Sequence, residues 1–138
     1  VEKTENIEPF ILENKYQHYK IMFNEYIGYH KGLIEDINNK IKTTNSDIFL
    51  FGGHIFSQYL IAFGLDTSRI VNILDNSPLK QEKRLYGSNL IVKSPKILAE
   101  YNNPVVILKA GLYNKEIMED ILNNINPTIF SANCGTFI

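Results

Sequence analysis

The sequence contains one cysteine, no tryptophan, two methionines and five prolines in 138 residues. A single cysteine, Cys134, excludes an internal disulfide, and no Cys/His grouping has the spacing of a zinc site. Cys134 has no evident base in its sequence neighbourhood and reads as inert. No apolar run approaches the roughly 18 residues that cross a bilayer, so no membrane partner is expected. Charge of one sign is also lacking: 14 Lys and Arg stand against 15 Asp and Glu, a net charge of -1. Such a chain has no basic field to draw it to nucleic acid. The polar N-terminus, Val1-Glu2-Lys3-Thr4, has no signal-peptide pattern, and a cytoplasmic location is the expectation. No initiator methionine opens the chain, which suits either a piece excised from a longer protein or a trimmed chain.

What is present suits one soluble domain. Hydrophobic residues make up 44% and charged residues 21%, enough to bury a single core. The first 45 residues read as a helical lead-in. Tyr19, Met22, Phe23, Tyr26, Ile27, Leu33, Ile34, Ile37 and Ile41 recur at steps of three and four with charges between them. Gly28 and Gly32 weaken that helix by about 1 kcal/mol each relative to alanine.

From residue 46 to 138 short apolar runs alternate with helical patterns. Ile48-Phe49-Leu50-Phe51 is a continuous apolar run, the signature of a strand buried on both faces. Ile55 to Phe63 reads as a helix with Phe56, Tyr59, Leu60 and Phe63 on one face, and Gly64 as its C-cap. Ile70–Leu74 is a second strand, Leu90-Ile91-Val92 a third, Val105–Leu108 a fourth and Thr128-Ile129-Phe130 a fifth. Ser94-Pro95 opens a brief helix as N-cap and first residue. Leu112 to Ile125 is a helix with Ile117, Ile121 and Leu122 inward. Alternation of this kind predicts a Rossmann-like, three-layer α/β domain with about five parallel strands, preceded by a long amphipathic helix.

In such folds ligands sit beyond the carboxyl ends of the strands, where the strand order reverses. The first strand ends in Gly52-Gly53-His54, and the following helix starts at Ile55 with unpaired amides suited to a phosphate. The second strand ends in Asp75-Asn76. Asp75 lies 23 residues after Gly52, near the roughly 20-residue offset of a ribose-binding carboxylate. The turn is a poor match to G-x-G-x-x-G, because His54 and Ser57 occupy the second and third glycine positions. A classical NAD oxidoreductase domain is therefore the weakest reading. Gly52 and Gly53 also serve simply to turn strand into helix, and Asp75 also suits a turn-capping role. Lys80, Lys83 and Arg84 either reach a diphosphate or form a solvated basic loop. Tyr16, His18, Tyr26, Tyr29 and His30 lie on the first helix, where a solvated face is the simpler account.

Several stretches resemble a known family: Phe51-Gly52-Gly53, Leu74 to Gln81, Tyr86 to Pro95, and Tyr113-Asn114-Lys115-Glu116-Ile117. They are similar to the C-terminal domain of bacterial nucleotide-sugar C-methyltransferases. That family shows a D-x-x-P-x-K-Q-G stretch, a P-G-x-x-I-P-I-x-x-P stretch and a later aromatic-x-x-E-I helix start. Glu82 stands where the family usually has glycine, and Tyr86 where it has proline. The family's S-adenosylmethionine domain, zinc-binding domain and Tyr-His-Glu-His motif are not in these 138 residues. The resemblance implies a domain that holds a nucleotide-linked sugar and is not catalytic alone, with no cofactor of its own and S-adenosylmethionine used elsewhere in the enzyme. The ligand-facing residues would be Gly52, Gly53, His54, Ile55, Asp75, Asn76, Lys80 and Tyr113. Partners would be the rest of a larger enzyme, or a second copy met through the first helix. The alternative reading is a non-enzymatic interaction module docking through that helix.

Overall fold

The computed structural model describes residues 14–127. Strand β1 (Ile48–Phe51) is buried at every position, as its unbroken apolar run demands. Side chains alternate across a strand. Ile48 and Leu50 therefore join one core cluster, and Phe49 and Phe51 another on the opposite face. β2 (Ile70–Leu74), β3 (Val92–Lys93) and β4 (Val105–Leu108) complete a four-stranded sheet among the described residues, in the order β3-β2-β1-β4. Every pairing is parallel, and β1 is hydrogen-bonded on both sides, to β2 and to β4. The expected fifth strand, 128–130, and Cys134 lie outside the described residues. The expected third strand is displaced to Val92–Lys93; Ile91 forms an antiparallel bridge with Arg84, while its carbonyl still accepts from the Ile73 amide of β2 at 3.0 Å.

One sheet face is covered by helix α1 (Tyr16–Thr43) and helix α2 (Ile55–Ala62). The other is covered by a 3₁₀ helix, Pro95–Glu100, and by helix α3 (Asn114–Asp120), which runs into a π turn, Ile121–Ile125. Ser94 caps the 3₁₀ helix by accepting from the Lys96 amide at 3.4 Å.

The Arg69 guanidinium, just before β2, donates to the carbonyls of Ile41 and Thr44 at the end of α1. A cation there satisfies carbonyls that the helix itself leaves open. Asn38 ties α1 to the end of α2: its Nδ2 donates to Gly64 O at 2.9 Å, and its Oδ1 accepts from Asp66 N at 2.8 Å.

α1 buries the face that periodicity selects only in its second half, and α2 turns away from the expected one. On α1 only Ile34, Ile37 and Ile41 are buried, while Tyr19, Met22, Phe23 and Tyr26 are exposed. On α2 Phe56 and Tyr59 are half exposed, and the buried residues are Ser57 and Leu60. α2 is apolar nearly all round, so periodicity cannot choose its face. The choice falls to Ser57, whose Oγ donates to Gly52 O at 2.5 Å and lets the helix start close to the sheet.

Candidate functional site

β1 and β2 both end at the carboxyl edge of the sheet in turns that bind each other. Gly52 takes φ +109°, a value an L side chain rarely adopts. Its amide donates to Leu74 O at 2.7 Å, extending the β1–β2 ladder by one bond. The Gly53 amide donates to Asp75 Oδ2 at 2.8 Å. Asp75 Oδ1 accepts from the Ser77 amide at 2.9 Å, and the Lys80 ammonium donates to Oδ2 at 2.9 Å. Gln81 Nε2 donates to the Asp75 carbonyl at 2.9 Å. The Leu74–Gln81 stretch thus folds around its own aspartate, and Asp75 performs the turn-capping role. Burial alone would raise its carboxyl pKa, but the Ser77 amide, the Lys80 ammonium and the Gly53 amide outweigh burial and hold it below the ordinary range.

His54 is the N-cap of α2. Its Nδ1 accepts from the Phe56 amide at 3.3 Å, a geometry that requires this nitrogen to be unprotonated. The ring folds back over Gly52: a Cβ at Gly52 would stand 2.2 Å from His54 Nε2. Burial lowers the imidazole pKa, the Lys80 charge lowers it further, and Asp75 opposes both. The Gly53 and Phe56 amides are therefore already spent on internal partners. A pyrophosphate lying tight on this turn would have to displace them.

Beside this turn lies a crevice of about 370 Å³, lined by Phe51, Gly52, His54, Ile55, Phe56, Asp75, Asn76, Ala110, Tyr113 and Ile117. These residues follow β1, β2 and β4. In the order β3-β2-β1-β4 the chain goes to one side of β1 for β2 and β3, then to the other for β4. The crevice therefore occupies the topological switch point. Its walls are largely apolar and aromatic, with the polar groups of His54, Asp75 and Asn76 among them. Gly111 at φ +61° and Asn114, whose Oδ1 accepts from Ala110 N at 2.7 Å, shape the turn that presents Tyr113, a residue 66% exposed.

Of the residues expected to face a ligand, Gly52, His54, Ile55, Asp75, Asn76 and Tyr113 line this crevice, while Gly53 and Lys80 stand behind it on Asp75. Phe56, Ala110 and Ile117 are additional lining residues. The Lys83 ammonium is turned to Leu79 O at 2.6 Å, and Arg84 is exposed. On α1, His30 Nδ1 is hydrogen-bonded to Tyr26 O at 2.9 Å. Among the described residues no three His, Cys, Asp or Glu side chains converge as metal ligands, and no helix is long and apolar enough to cross a membrane.

Glu82, where the resembled family usually has glycine, has φ +63°. The backbone there has the left-handed form that glycine adopts at least cost. Glu82 is held in it by its amide, which donates to Val92 O at 2.8 Å, and by the Lys93 ammonium at 2.6 Å from its carboxylate.

Comparison with protein-family models, with curated proteins and with solved structures finds no match.

Proposed function

We propose that this is a Rossmann-like ligand-binding domain for a nucleotide-linked sugar, not catalytic by itself, and part of a sugar C-methyltransferase or a protein like one. The observation that carries the reading is the crevice at the switch point, with a carboxylate and an amide side chain from the end of β2 among its apolar walls. An apolar slot with a few polar groups is the usual form of a small-ligand site. In this reading a planar base lies between Phe56 and Tyr113. The ribose hydroxyls face Asn76 and the remaining lone pair of Asp75 Oδ1. The diphosphate runs toward Lys80, whose side chain is 44% exposed, rather than onto the Gly53 amide. The resemblance of the Leu74–Gln81 and Tyr86–Pro95 stretches supplies the sugar. S-adenosylmethionine and NAD are not expected to bind.

Calorimetry and thermal shift with uridine and thymidine diphosphates, their sugar conjugates, S-adenosylmethionine and NAD test this. A nucleotide diphosphate at 100 times its Kd adds about 2.7 kcal/mol of stability. Phe56→Ala and Tyr113→Ala, both at exposed positions, weaken binding by about tenfold each. Absence of any nucleotide response in the parent chain overturns the proposal.

A further inference from the structure

The face of α1 that packs on the domain continues past the point where the domain ends. Tyr16, Tyr19, Phe23, Tyr26, His30, Leu33 and Ile37 follow one another at alternating steps of three and four, the spacing of a helix-packing seam. In the second half of the helix this face is filled by the molecule's own core, where Ile34, Ile37 and Ile41 are 2%, 2% and 0% exposed. In the first half the same face is bare: Tyr16, Tyr19, Phe23 and Tyr26 are 60%, 60%, 63% and 49% exposed.

Two anchors show why. Arg69 holds the end of α1 at the amino edge of the sheet, and the Lys109 ammonium, just past the end of β4, lies 6.0 Å from the Tyr29 ring. Between them α1 crosses the full height of the sheet. Residues 16–28, about 20 Å of helix, stand beyond its carboxyl edge. At about 200 Å² per aromatic side chain, the exposed rings with Met22 beside them present roughly 600 Å². That exceeds the largest patch of many monomers and approaches the roughly 800 Å² per partner of a stable interface.

We infer that a second copy of this chain covers this surface, the two α1 first halves packing antiparallel about a twofold axis near Phe23. The seam is self-complementary in that register. Phe23 meets Phe23 of the partner subunit at the axis, Tyr19 packs beside Tyr26 of the partner subunit, and Tyr16 meets His30 of the partner subunit. No acidic residue occurs between Lys15 and Asn24, and Glu25 points away from the seam, so no carboxylate is buried. One contact fills both bare stripes, as an isologous interface does.

Sedimentation velocity of the 138-residue chain should give a dimer, twice the 15.9 kDa of one chain. Phe23→Glu should raise the dimer dissociation constant at least about a hundredfold. Ile21→Glu, at a residue 57% exposed on the opposite side of the helix, should leave the dimer intact. In a Cys134→Ser background, Phe23→Cys should form a disulfide-linked dimer on mild oxidation and Ile21→Cys should not. Circular dichroism confirms that each variant folds. A monomeric parent, or a folded Phe23→Glu variant that still dimerises at parental strength, overturns the inference.

Discussion

The amide of Gly53 and the carboxylate of Asp75 meet at 2.8 Å across the ends of two adjacent strands. This bond makes Asp75 a structural residue first. The same carboxylate also holds the Ser77 amide and the Lys80 ammonium, and the residue is only 7% exposed. Asp75→Ala leaves two amides unpaired near the core and should lower folding stability by about 2–3 kcal/mol in urea titration. Lys80→Met should cost less than about 1 kcal/mol, because its ammonium is largely solvated. Equal losses in the two variants would assign the stability to the ion pair instead of the amides.

Stability should fall in two stages as pH drops. The folded His54 imidazole sits below its ordinary value of 6.5, so the unfolded chain takes up a proton first. Its contribution is complete above about pH 6.5 and is lost as pH falls through the folded value. Asp75, held below its ordinary 3.8, keeps its contribution above that pH and loses it lower still. His54→Asn retains a capping acceptor and should remove the upper stage while leaving the lower. Urea midpoints measured from pH 8 down to about pH 2 follow both stages; an unchanged upper stage in His54→Asn would assign it to other groups.

Gly52→Ala should destabilise by about 2–3 kcal/mol, combining left-handed strain with a clash against the His54 ring. Adding His54→Ala removes the clash but not the strain. The double variant should therefore be less damaged than the sum of the single changes, as a double-mutant cycle would show. Strict additivity would mean that the ring does not rest on Gly52.

Glu82→Gly should be neutral within about 0.5 kcal/mol: relief of the positive φ offsets the entropy glycine gains on unfolding. Glu82→Val should cost about 1–2 kcal/mol, since a β-branched side chain suits that backbone worst. Thermal melts of the two variants compare them directly, and equal melting temperatures would remove the strain argument.

Much of the sheet was legible because β1 and β4 are unbroken apolar runs of four, a pattern that strands buried on both faces require. β3 was expected at 90–92 and stands at Val92–Lys93: Ile91 is shared between a bridge to Arg84 and a carbonyl bond to Ile73, a division that strand propensity does not encode. That Gly52, His54, Asp75 and Asn76 line a crevice at the strand ends was legible from the switch-point rule. Phe56 was not, since a helix apolar nearly all round hides which side faces the sheet. Ala110 and Ile117 reach the crevice only because β4 lies beside β1, a neighbourhood that the intervening sequence conceals. Nor does spacing reveal that Gly53 and Lys80 spend their donors on Asp75.

The central place of β1 has a consequence for the chain during its synthesis. β1 gains β2 on one edge soon after it is made, but its other edge waits for Val105–Leu108. Until that segment emerges, a fully apolar strand shows an open row of amides and carbonyls, the kind of edge that recruits foreign strands. The nascent chain is therefore most exposed to misassociation over that interval. Slowed translation between residues 75 and 104 would prolong the interval, and a chaperone that binds the growing chain there would protect it.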